Sequence, residues 1–274
     1  PPPPPPPPPQ LEAPQVPLPP PKKSTVPDYP DPRTFYIGIW GWQPIPGNGP
    51  DIIGGALALG YSTLNHLGKD HLTPGLELAI PITRTGELHV EGFQSKGDGT
   101  QIAAVATGPF GTSLNAGDFV STSYKVTSAK IYLDDLLFPY KFPVSKFRLK
   151  SLWEVQWVGV KGVIDAPLAP QFDSSNNPIT TSAAGSRTII TPTFGLAAEY
   201  AIAPHVLLRA AGSGFGLPHR AELWDAEGTV SYRRKAWELR AGYKIMHFKT
   251  NPQKDEYIQG TIDGGFVGLR YHWQ

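Results

Sequence analysis

Acid–histidine pairs are where this sequence could do chemistry, since a carboxylate that orients an imidazole can turn it into a general base for water. Two such sets exist, Asp70 with His71 and His219 with Asp225. His66 and His71, with Asp70 between them, also offer three donors of the kind that hold a metal ion. Asp134 and Asp135 are adjacent, but neighbouring strand residues face opposite ways, so the two carboxylates cannot share a site. His89 and His272 fall on the inward side of a strand pattern, and neither has a Ser or Thr nucleophile motif around it. Gly41, Gly47, Gly49, Gly54 and Gly55 lack phosphate-loop spacing, and Gly97-Asp98-Gly99 reads as a turn. The chain contains no cysteine, which removes thiolate catalysis, disulfides, iron–sulfur clusters and cysteine zinc sites together. No set amounts to an active-site signature, and the expectation is a protein that is not an enzyme and carries no cofactor and no metal.

The elements that position these residues are strands. From Arg33 onward the sequence alternates with period two. Val267, Leu269, Tyr271 and Trp273 oppose Gly268, Arg270 and His272. Trp237, Leu239, Ala241, Tyr243 and Ile245 oppose Glu238, Arg240 and Lys244. Trp224, Val230 and Tyr232 oppose Asp225, Glu227 and Arg233, and Phe194, Leu196 and Tyr200 oppose Glu199. Trp153, Val155 and Trp157 oppose Arg148, Lys150 and Glu154, while Leu76, Leu78, Leu88 and Val90 oppose Glu77, Glu87 and Glu91. Adding Arg209, one face of the pattern is an interspersed set of both charge signs and the other is apolar. The aromatics of the apolar face, Trp153, Trp157, Tyr200, Trp224, Tyr232, Trp237, Tyr243, Tyr271 and Trp273, gather near its ends.

Strand follows strand with no helical segment between, so neighbours should pair as antiparallel hairpins. Tight turns at 83–87, 139–143, 201–205 and 233–236 alternate with longer polar connections at 47–73, 95–116, 166–186, 212–218 and 250–257. Threading the chain through them gives about ten strands, closing an up-and-down barrel with charges inside and apolar side chains with interfacial aromatics outside. No apolar run approaches the ~18 residues of a membrane-spanning helix. A barrel of about ten strands has an interior little wider than its side chains, so the inward charges read as a paired network that fills it. A narrow ion-conducting pore is the functional alternative for the same residues.

The first segment is different. Residues 1–32 open with nine consecutive prolines and hold about half of the 32 in the chain. Proline lacks the backbone N–H and fixes φ, so this arm should be extended polyproline II, a spacer or a docking strip for a protein partner. The chain starts at Pro1 with no charged-then-apolar leader, which reads as a mature form. A net charge of +1 gives no footprint for nucleic acid.

The stretch 33–274 resembles the bacterial outer-membrane β-barrel proteins. The terminal strand, from Gly265 through Phe266, Val267, Leu269 and Tyr271 to Trp273-Gln274, is similar to the C-terminal signal read by the barrel-assembly machinery, although that signal usually ends on the aromatic itself. Leu152-Trp153-Glu154-Val155-Gln156 and Leu223-Trp224-Asp225-Ala226-Glu227 look like strands of uncharacterised members. The resemblance implies an outer-membrane bilayer as partner, short turns and both ends of the barrel on the periplasmic side, and the proline arm in the periplasm. It implies no activity. Some ten-stranded members are surface proteases that use acids and a histidine at the extracellular rim, which would point to Asp70, His71, His219 and Asp225 as a rim hydrolase. The preferred expectation is a scaffold whose arm or loops hold a partner, with a narrow porin-like channel for small solutes as the alternative.

Overall fold

The computed structural model describes residues 34–45, 49–53, 62–64, 67–104, 106, 108–139, 146–216, 220–253 and 256–273. The proline-rich segment 1–32 lies outside them. Thirteen strands run in chain order: β1 Tyr36–Pro44, β2 Asp51–Ile53, β3 Ser62–Leu64, β4 Lys69–Asp70, β5 Thr73–Pro81, β6 Gly86–Ile102, β7 Phe119–Phe138, β8 Phe147–Asp165, β9 Ser182–Ala203, β10 Val206–Gly216, β11 Glu222–Arg234, β12 Trp237–Lys249 and β13 Tyr257–His272. Ten of them form an antiparallel meander, β1-β5-β6-β7-β8-β9-β10-β11-β12-β13, which closes where β1 pairs with β13 from Tyr36↔His272 to Pro44↔Gly264. Closure leaves no sheet edge among these ten. No helix of the described residues is long and apolar enough to cross a membrane, a statement that does not bear on spanning by strands.

One strand shows why the barrel is built this way. On β8 the outward residues Phe147, Leu149, Trp153, Val155 and Trp157 are apolar, while Arg148, Lys150, Glu154 and Gln156 point inward and are buried. Above Trp157 the sense reverses. Val158, Val160 and Ile164 now point inward and are buried, and Lys161 and Asp165 stand exposed outside. Strand β9 turns over at the same height, with Ile190, Phe194, Leu196, Tyr200 and Ile202 outside below and Ser182, Ser186 and Thr188 outside above. The lower barrel is therefore apolar outside and charged inside, and the upper barrel is a water-facing shell around an apolar core. An exposed apolar band below a water-facing shell is the arrangement a bilayer selects.

The reversal explains why strands outrun their hydropathy pattern. Ladders continue through residues 95–102, 182–186 and 212–216, which the alternation assigns to loops, because small and polar residues there still pair with neighbouring strands. The connection 47–73 also carries structure. β1 and β5 have 9 residues each, whereas their neighbours β13 and β6 have 16 and 17. β2 pairs with the upper part of β13 and β4 with the upper part of β6, completing the wall above the short strands.

The turns at one end are tight: 82–85, Pro204-His205, and Lys235-Ala236 with Lys235 at φ 55. Of the expected turn at 139–143, only Pro139 lies within the described residues.

Candidate functional site

The lower interior holds a belt of alternating charge that runs around the barrel wall. His272 Nε2 lies 2.8 Å from Glu238, which accepts from Arg270 at 3.1 Å. Arg270 also grips Glu77 with two donors, at 2.9 and 2.8 Å, and Arg240 donates to Glu77 at 2.7 Å and to Glu227 at 2.6 Å. Arg209 links Glu227 at 3.5 Å to Glu199 at 3.7 Å, and Glu199 meets Arg148 at 2.9 Å and Lys150 at 3.4 Å. Lys150 reaches Asp134 at 2.7 Å and Glu87 at 3.3 Å, and His89 lies 3.3 Å from Asp134. Tyr36 closes the circuit, within 3.3 Å of His89 Nδ1 and under the Arg270 guanidinium. Above the belt, Lys130 bridges Asp225 at 2.9 Å and Glu154 at 3.6 Å, the Ser213 hydroxyl lies within hydrogen-bond distance of both acids, and Lys244 pairs with Glu91. Glu77, Glu91, Arg148, Lys150, Glu154, Glu199, Arg209, Glu227, Glu238, Arg240, Lys244 and Arg270 all lie in this network. Removing one member would leave a buried charge short of its partner, which is strongly destabilising.

Lys130, Tyr132 and Asp134 on β7 are members that the alternation did not single out. Their strand has a polar inward face, Ser128-Lys130-Tyr132-Asp134, against a weakly apolar outward one, Ala129, Ile131 and Leu133. The placement of Asp134 near a turn was legible, but its contact with Lys150 depends on register with β8.

Higher up the interior is closed. Trp42, Leu223, Met246, Phe248, Ile258 and Ile262 from the wall pack with Ile52, Leu64 and Leu67 from the connection 45–72, Leu114 from 103–118, and Ala169 from 166–181. Trp42 donates its indole N–H to the Gly264 carbonyl at 3.2 Å inside this core. Among the described residues a cavity of about 80 Å³ lies at the turn end, lined by belt residues, Tyr36, Tyr132 and the 201–207 turn, and a smaller one of about 20 Å³ lies deeper in.

Asp70 and His71 separate. Asp70 is buried, whereas its neighbour His71 is exposed and pairs with Asp98 at 2.8 Å, so the two face opposite ways. Burial pushes the Asp70 carboxyl up to about 6. Asp225 is committed to Lys130, and His66 and His219 lie outside the described residues. Among the described residues one grouping has metal-like spacing, Glu87, His89 and Asp134, with a donor atom from each within 4.8 Å of the others. The Lys150 ammonium already lies on both of its carboxylates, which is the place a cation would take.

No family model matches the chain, and no curated protein sequence is significantly similar to it. Solved structures are similar in fold. The outer membrane protease OmpT from Escherichia coli aligns over 88% of this chain and 97% of its own, with a TM-score of 0.53 at 9% identity. The translocator domain of the autotransporter NalP from Neisseria meningitidis covers 88% and 89%, with a TM-score of 0.43 and 11% identity. The toluene transporter TodX from Pseudomonas putida covers 91% and 92%, with a TM-score of 0.37 and 10% identity.

The fold is that of a bacterial outer-membrane β-barrel. On this outer-membrane-type barrel the aromatics of the apolar face sit on the outside. Trp153, Trp157, Tyr200, Trp224, Tyr232, Trp237, Tyr243 and Trp273 are exposed, and Tyr271 is half-buried against Trp237 and Trp273.

Proposed function

We propose that this chain is an integral outer-membrane barrel that serves as a structural body rather than a conduit or an enzyme. Its turn end faces the periplasm, with the arm 1–32 and the loop end as the parts that hold a partner. One observation carries the reading: the upper interior is filled by buried apolar side chains from the wall and from three separate connections, so the charged lower lumen is a dead-end vestibule. Ions need a continuous wet path, and a packed apolar core is a barrier to them. Against hydrolysis, Asp70 and His71 face apart and Asp225 is held by Lys130.

The test is purification from membranes in detergent, followed by planar-bilayer recording and partner capture. The expected result is a heat-modifiable band, no single-channel steps, and a partner lost on deletion of residues 1–32. Steady unitary conductance would favour the channel, and partners fully retained without residues 1–32 would remove the arm from the scaffold role.

A further inference from the structure

Three buried polar side chains at the loop end carry oxygens with no hydrogen-bond partner. Asp70 on β4 is 3% exposed, Ser95 on β6 0% and Tyr124 on β7 3%, and neither Asp70 carboxylate oxygen, nor the Ser95 or Tyr124 hydroxyl, is satisfied. An unpaired carboxylate in an apolar interior is costly, so a partner is expected for it. Among the described residues no cation reaches it. The charged neighbours Lys69, His71, Lys96, Asp98 and Lys125 alternate to the outer side of the wall, and His71 is already paired with Asp98.

Register brings the three together. Asp70 pairs with Gly97 and Gly97 with Tyr124, so Asp70 and Tyr124 flank Gly97 on the inner side of one rank. Ser95 is the next inward residue on β6, on the diagonal from Asp70 and within its reach. Gly97 matters because it has no side chain. A Cβ there would stand 2.8 Å from the Tyr124 ring carbon that carries the hydroxyl and 2.7 Å from the Lys69 carbonyl oxygen. The ring therefore lies over Gly97 and carries its hydroxyl toward the strand of Asp70. Tyr124 also belongs to the apolar core, with Leu67, Phe93 and Val126, which keeps water scarce around the carboxylate. All the unsatisfied donors in the group are oxygens, the ligands of a hard cation. Calcium accepts irregular sets of about six to eight oxygens and completes them with carbonyls and water, whereas magnesium demands a near-ideal octahedron.

We propose that Asp70, Ser95 and Tyr124 bind a calcium ion at the loop end of the barrel, with the Asp70 carboxylate as its charged ligand. A single carboxylate makes a weak site, in the ~10⁻⁴–10⁻³ M range of extracellular modules. The ion ties β4, which two ladder pairs hold to β6, onto the wall. It thereby fixes the connection 45–72, whose Ile52, Leu64 and Leu67 fill the upper interior.

The experiment is urea unfolding of the full chain, refolded in a nonionic detergent free of lipopolysaccharide, in chelator and in rising calcium chloride at constant ionic strength and neutral pH. An ion that binds only the folded form should raise the unfolding midpoint by a steady increment per tenfold of calcium above about 1 mM. Asp70→Asn should abolish the rise. Tyr124→Phe and Ser95→Ala should each weaken the apparent affinity about tenfold. Each should also leave the midpoint in chelator unchanged or higher, because it deletes an unsatisfied buried group. No rise in wild type, or an equal rise in wild type and Asp70→Asn, would overturn the site. The same rise with sodium chloride, or a larger one with magnesium chloride, would overturn the choice of calcium. Should Asp70→Asn fail to fold, an undiminished calcium response in Tyr124→Phe overturns the proposal by itself.

Discussion

Glu77 is the residue on which the charge belt can be tested most sharply. Its carboxylate takes two hydrogen bonds from Arg270 and one from Arg240, all between 2.7 and 2.9 Å, and is almost fully buried. Glu77→Gln keeps the shape and removes the charge. Breaking a buried ion pair from one side costs 3–5 kcal/mol. Arg270 keeps Glu238 and Arg240 keeps Glu227, so the loss should sit at the low end, about 3 kcal/mol, or about a hundredfold in the folding equilibrium. Replacing the pair together, Glu77→Leu with Arg270→Met, leaves Arg240 with Glu227 and Glu238 with His272, and should recover most of that loss. The assay is urea unfolding of the barrel in detergent micelles, followed by tryptophan fluorescence and by band mobility. A Glu77→Gln variant within about 1 kcal/mol of wild type would refute the reasoning, because it would mean that water reaches the belt and screens it.

Three further outcomes follow from the same geometry. Gly75→Ala places a Cβ 2.2 Å from the Trp40 ring, so unfolding should come easier by about 1–3 kcal/mol or more, read from the same urea curves. The Asp70 carboxyl is raised from 3.8 to about 6 in the folded chain, so its own contribution is present below about pH 4 and lost as pH rises through 6; the stability of wild type relative to Asp70→Asn, read from melting at each pH, should therefore be greater at pH 4 than at pH 7. Lipids brominated on their acyl chains should quench Trp153 and Trp237, which are exposed on the apolar band, and leave Trp42 unaffected, as single-tryptophan variants would report.

The lower barrel was legible because lipid and a charged lumen impose opposite demands on alternate residues, and the strands from Trp224 to Trp273 obey both. The upper barrel was not, since above Trp157 the demands exchange sides, and a pattern of small residues such as 182–186 looks like a loop whether or not it pairs. The apolar filling was hidden for a second reason. Ile52, Leu67, Leu114 and Ala169 come from connections with no period, and only the closed sheet brings them together.

The short strand β2 has a consequence for the seam where the first and last barrel strands meet. β13 is held by β1 along its lower part and by β2 at Tyr257–Gln259, so one N-terminal stretch grips it at two heights. Parting that seam sideways, the motion by which a barrel could release cargo into the bilayer plane, would require both ladders to let go together while Ile52 leaves the core. The wall is thus clasped against lateral opening.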